Sequence, residues 1–127
     1  MPLAAFTRHL RDYRFREVLG RYVSRVFAAM AQSTACVAFH PVQERLARWL
    51  LIVSDALERD EFTLTQDFLV VMLGTHRPTV SIAVGILEKA GLLSHRRGVV
   101  RIIDKPGLTE ASCECYQRIR DEQAAGA

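Results

Sequence analysis

The chain has 127 residues, 50% of them hydrophobic and 24% charged, which suits one compact domain, or a small domain with an appendage, and excludes a wholly disordered chain. No apolar run approaches the roughly 20 residues that span a bilayer; the longest, at residues 49–53 and 68–74, are short and flanked by charge. Net charge is +3, and its distribution says more. Residues 66–101 hold Arg77, Lys89, Arg96, Arg97 and Arg101 against only Asp67 and Glu88, whereas the C-terminal stretch is acidic. A positive block beside an acidic tail suits a surface aimed at phosphates.

Residues 1–11 are weakly patterned. They include Thr7-Arg8-His9-Leu10-Arg11, so no signal-peptide core forms; the expectation is a cytoplasmic protein with no membrane partner. From Tyr13 the pattern is helical for about seven turns. Phe15, Leu19, Tyr22, Val26, Ala29, Ser33 and Cys36 alternate at steps of four and three, the seam of a two-stranded coiled coil. Met30 and its apolar neighbours widen that seam. Packing against the chain's own body would cover it. A homodimer through Phe15, Leu19, Tyr22, Val26 and Met30 covers it better, because little else in so short a chain is left over.

His40-Pro41 ends this helix and starts another. Its apolar face carries Val42, Leu46, Trp49, Leu50, Val53 and Leu57, with Gln43, Glu44, Arg45 and Arg48 opposite. Residues 62–64 allow no more than a strand stub. Thr65 then caps a short helix over 66–73, Gly74 supplies a left-handed turn, and a second helix starts at Arg77-Pro78 and ends at Ala90-Gly91. Two short helices joined this way make a helix-turn-helix or an ordinary helical hairpin. The choice narrows with the two β-like runs that follow, 92–96 and 99–103, around Arg97-Gly98. A helix-turn-helix followed at once by a basic hairpin is a winged helix. A last helix over roughly 108–120 and a frayed tail complete the chain. The expected fold is mainly α, a winged helix-turn-helix with a small β-hairpin wing behind a long dimerisation helix, divided into 1–39, 40–120 and a tail at 121–127.

The residues from Gln43 to Leu51, Leu64-Thr65-Gln66-Asp67-Phe68-Leu69, and Met72-Leu73-Gly74-Thr75-His76-Arg77-Pro78-Thr79-Val80-Ser81, followed by Leu87-Glu88-Lys89-Ala90-Gly91-Leu92-Leu93 and Arg96-Arg97-Gly98, resemble the C-terminal part of the Crp/Fnr family of bacterial transcription regulators. The Gly-x-x-Arg-x-Thr-Val core and its spacing to the wing carry most of the likeness, which covers about residues 13–120. Family members also have an N-terminal jelly-roll sensor related to cyclic-nucleotide-binding domains. Nothing here resembles that sensor: either the protein is naturally without it, or it lies upstream of Met1. The resemblance implies double-stranded DNA as partner, a homodimer, and a cytoplasmic transcription regulator; RNA polymerase is a further partner it allows. It carries over no effector or cofactor.

The resemblance also implies that the helix from Arg77 enters the major groove. Arg77 stands at the position of a guanine-reading arginine, whose fork matches O6 and N7. Thr79 matches a phosphate-contacting threonine. Ser81 and Ile82 lie on the same outward face and complete the base-reading set, although Ile82 could instead pack against the wing. Pro78 and Ile82 replace a glutamate and a second arginine of the best-known members, so the target half-site should differ from theirs. Gln66 and His76, at helix N-termini, and Arg96, Arg97 and Gly98 on the wing are the remaining expected phosphate contacts; a cap alone suits His76 nearly as well.

Competing chemistry has weaker support. Cys113-Glu114-Cys115 with Cys36 invites a metal or redox reading, but a Cys-x-Cys spacing on one helix points its thiols apart, so no metal site is expected. An odd number of cysteines also argues against a disulfide framework. No phosphate loop, dinucleotide fingerprint, zinc-protease motif or nucleophile elbow is present, so the chain is not read as an enzyme. The alternative from another class is a dimerisation partner that modulates a full-length relative through protein contact alone. That role requires neither Arg77 nor a basic wing.

Overall fold

The computed structural model describes residues 1–125. Among them, α1 (Leu3–His9), α2 (Tyr13–Phe39), α3 (Val42–Leu57), β1 (Glu61–Thr63), α4 (Gln66–Leu73), α5 (Arg77–Lys89), β2 (Leu93–Arg96), β3 (Val99–Ile102), α6 (Lys105–Ala111) and α7 (Cys115–Ala125) follow in order. This is a mainly helical winged helix-turn-helix behind one long helix, as expected. No single helix among the described residues is long and apolar enough to cross a membrane.

The core is built where the apolar faces of α3, α4 and α5 meet. Leu46, Leu50 and Leu51 pack with Leu69 and Leu73 and with Val80, Ala83 and Leu87, and Val100 and Ile102 of the sheet close one side. Such spacing, three or four residues apart along each helix, gives each a single buried stripe.

Several local expectations are corrected. The weakly patterned N-terminus contains α1, because Phe6 and His9 share a face and both dock on the Phe15 ring, the Phe6 centroid 6.0 Å away edge-on. The strand stub is a full partner in a three-stranded antiparallel sheet of order β1-β3-β2. Phe62 is buried there while Glu61 faces Arg101 across the ladder and pairs with it at 2.5 Å. Arg45 and Arg48, read as a solvated face of α3, are buried. The single C-terminal helix is two: Ser112 leaves helical geometry at φ −82°, ψ 159° and its hydroxyl donates back to the Thr109 carbonyl at 2.7 Å, a local bond that competes with helix continuation. Cys113 and Cys115 therefore do not share a helix, and both are buried with Cys36, which faces its own chain rather than a dimer seam. The tail expected from residue 121 is helical to Ala125; Gly126 and Ala127 lie outside the described residues.

Helix α2 is joined to this body mainly near its C-terminal end, where Cys36 is its one buried residue. Of the five expected seam residues, Phe15 and Leu19 are half-buried, whereas Tyr22, Val26 and Met30 are exposed. Val18, Val23 and Phe27 extend that open apolar surface. A polar clamp ties α7 and α6 to the end of α3. The Tyr116 hydroxyl donates to Asp55 at 2.6 Å, and the Lys105 ammonium reaches Asp55 at 3.0 Å and the Ser54 hydroxyl at 2.9 Å. Asp55 and Asp60 are thus both partnered carboxylates.

Candidate nucleic-acid interface

Three local devices set the angle between α4 and α5. The Thr65 hydroxyl accepts the Phe68 backbone N–H at 3.2 Å and starts α4. Gly74 ends it at φ 60°, ψ 43°, where a side chain would be strained. Arg45, buried in α3, donates from Nη1 to the Leu73 carbonyl at 2.9 Å and so holds the last turn of α4 against the core. The chain then turns by 101° into α5, within the roughly 90–120° of a helix-turn-helix.

Pro78 sits in the first turn of α5, where a missing N–H is harmless. Val80, Ala83, Val84 and Leu87 are buried, which turns the opposite side outward. Arg77, Ser81 and Ile82 are on that open side, Ile82 at 65% exposure, too open to be packed against the wing. Thr79 is half-buried. His76 occupies the N-cap position, is exposed, and makes no side-chain cap bond.

The wing stands beside this helix. The β2–β3 turn is two residues long, with Arg97 at φ 50° and Gly98 at φ 78°, the double left-handed geometry that matches strand twist. Arg96 and Arg97 are exposed at its tip, and the Gly98 carbonyl accepts the Leu64 N–H at 2.8 Å. Glu88 of α5 accepts the His95 backbone N–H at 2.7 Å, fixing the wing's first strand to the helix.

Two contacts join expected residues to each other or to a neighbour the sequence did not single out. Gln66 Nε2 donates to Ser81 Oγ at 2.5 Å, so a residue expected on phosphate and one expected on bases share a bond across the two helices. Arg77 is ion-paired with Asp67 of α4. Sequence inspection marks Asp67 only as one of two acidic residues within the basic block 66–101. It also misses Arg45, Glu88 and the exposed Ile86, one turn beyond Ile82; the last was findable from the four-residue step along the open face.

The model of the Crp-like helix-turn-helix domain matches residues 44–111, more than half of the chain. The chain belongs to this family. Its fold is shared with a transcriptional regulator of the Crp/Fnr family from Eubacterium rectale, at TM-score 0.71 and 18% identity over 87% of this chain and 51% of the other. A CRP/FNR-family regulator from Thermus thermophilus matches at TM-score 0.71 and 24% identity over 80% of this chain and 55% of its own length. A second CRP-family regulator from that organism matches at TM-score 0.68, 20% identity and the same coverage. The chain thus spans about half the length of these Crp-like relatives. No curated protein matches it in sequence.

Proposed function

We propose that this chain is a sequence-specific transcription regulator that binds double-stranded DNA as a homodimer. The observation that carries this is the open side of α5: a helix whose inner stripe is wholly committed to the core carries Arg77, Ser81 and Ile82 outward, beside a wing tipped with Arg96 and Arg97. In this reading Arg77 forks onto a guanine, Ser81 and Ile82 meet neighbouring base edges, and Gln66, His76, Thr79, Arg96, Arg97 and the Gly98 N–H hold phosphates. Residues 1–39 supply the dimer helix and 40–120 the DNA-binding domain. Two such domains engage a pseudo-palindrome with half-site centres about 34–36 Å apart. The exposed apolar side of α2 supports a second copy as its cover.

Selection of duplexes from a random pool with the purified chain tests this. The expected product is an enriched inverted repeat, lost from one base position when Arg77→Ala is used in place of the wild type. No enrichment at low salt would contradict it. Regulation unchanged by Arg77→Ala, with association intact, would instead favour a dimerisation partner acting through protein contact.

A further inference from the structure

We propose that the thiols of Cys36, Cys113 and Cys115 form a binding site for a soft, thiophilic metal ion. The three Sγ atoms come from the last turns of α2, from the break between α6 and α7, and from the first residue of α7, and they lie within 4.8 Å of one another. The Cys36 and Cys113 sulfurs are 3.5 Å apart across 77 residues of sequence. An ion with metal–sulfur bonds of about 2.3 Å sets its sulfurs roughly 3.7–4.0 Å apart, inside the span these side chains already occupy. Three sulfur donors select soft or borderline ions such as Zn²⁺ or Cd²⁺ over Mg²⁺ or Ca²⁺, which take oxygen.

The surroundings supply what an occupied site needs. All three cysteines are buried. Gln32 Nε2 lies 2.9 Å from Cys115 Sγ, where its N–H donates to the sulfur, the outer-shell bond that orients a ligand. Arg48 is 1% exposed, its charge acts on Cys36, and its Nε and Nη1 atoms have no hydrogen-bond partner. No carboxylate pairs with it among the described residues. Its guanidinium stacks over the Trp49 ring, 4.9 Å from the centroid, but a buried charge with no counter-ion is still costly.

Metal uptake balances it. Three neutral thiols and one M²⁺ give [M(S-Cys)₃]⁻ and three protons released to solvent, and the single negative charge of the complex faces the single positive charge of Arg48. A Cys36–Cys113 disulfide would be neutral; it would leave both Cys115 and Arg48 unserved. Because the donors join α2 to the α6–α7 segment, an occupied site staples the long helix to the winged-helix body.

The test uses the full reduced chain, stripped with chelator and kept anaerobic, titrated with Cd²⁺ and separately with Zn²⁺ in competition with a chromophoric chelator. One ion should bind per chain, with about three protons released, a near-ultraviolet sulfur-to-cadmium band, and protection of all three thiols from alkylation. Cys113→Ser should lower affinity at least 100-fold while far-ultraviolet dichroism reports its fold. The wild-type titration alone decides the matter if that variant does not fold. Absence of the band, binding below half an equivalent, a band that persists when all three cysteines are replaced by serine, or quantitative Cys36–Cys113 disulfide with no metal affinity in the reduced protein would overturn the site. No DNA is present, so the outcome is separate from that of the proposed interface.

Discussion

The guanidinium of Arg77, first residue of α5, is ion-paired with the carboxylate of Asp67 one helix earlier, and both side chains are more than 60% exposed. An exposed pair of this kind contributes at most about 1 kcal/mol, so it parks the arginine without locking it. A guanine edge, with two aligned acceptors in a water-poor groove, is the stronger partner. Asp67→Asn should therefore tighten binding to the selected operator by about two- to fivefold at fixed salt, by freeing the fork and removing a negative charge from the proposed DNA-facing side. Fluorescence anisotropy measures this. Weaker binding by the variant would mean that Asp67 aims Arg77 rather than restraining it.

Arg97 takes a left-handed conformation at φ 50°, which is unfavourable for a residue with a Cβ. Arg97→Gly removes the guanidinium while suiting the backbone better. The wing should keep its shape and the melting temperature should hold or rise slightly. Affinity should fall alike for operator and random DNA, with the salt dependence of binding reduced by about one phosphate contact. A loss confined to the operator would assign Arg97 to base recognition.

Arg45 shows how a charged residue can serve a turn. Its Nη1 donates to the Leu73 carbonyl from within the core. Arg45→Met keeps the stem's volume and leaves that carbonyl without its donor, at about 1–3 kcal/mol. Chemical denaturation should show a lower midpoint with an unchanged slope. An equally stable variant would mean that water takes over at the end of α4.

The elements that were legible in the sequence are those with many turns of periodic evidence or strong punctuation. Helix α2 has seven turns of seam, and Thr65, Gly74 and Pro78 mark the helix-turn-helix almost residue by residue. Strand β1 was not legible, because three residues hold too little alternation and its identity comes from pairing with β3 across some forty residues. The burial of Arg45 and Arg48 was missed for a related reason: polarity marks a helix face as solvated until a distant carbonyl or thiol turns out to be its neighbour. An ideal helix through residues 113–115 would point the Cys113 and Cys115 thiols apart. One serine that bonds backwards, Ser112, ends that helix and brings the two thiols together.

The clamp of Asp55, Lys105 and Tyr116 gives folding a pH signature at both ends. Partial burial pushes the Asp55 carboxyl up, but the Tyr116 hydroxyl and the Lys105 ammonium outweigh it and hold the group below the usual carboxylate range. A depressed folded-state value contributes stability above the unfolded one, near about 4, and that contribution disappears as pH falls through the folded value. Burial first, and the bond to Asp55 second, push Tyr116 up to about 12, so its contribution is complete below about pH 10 and drains as pH rises towards 12. Melting temperature against pH should decline at both extremes in the wild type. Asp55→Asn should start lower at neutral pH and flatten the acid limb, and Tyr116→Phe should flatten the alkaline one. Curves parallel to the wild type would show that the clamp does not couple to folding.

In the proposed homodimer the open side of α2 is the seam. Val26 and Met30 are 36% and 64% exposed in the single chain, so glutamate at either position still reaches water in a monomer. In a symmetric pair of α2 helices the same substitutions place four carboxylates in one seam and remove its apolar burial, at about 25 cal/mol for each Å² no longer covered. Val26→Glu/Met30→Glu should therefore sediment as a monomer at micromolar concentration where the wild type is a dimer, with the helical dichroism of the winged-helix body retained. Operator affinity should fall by at least 100-fold, because one domain then binds without its tethered twin. A wild-type chain that is monomeric throughout this range, yet binds its inverted repeat tightly, would remove the long helix from the mechanism.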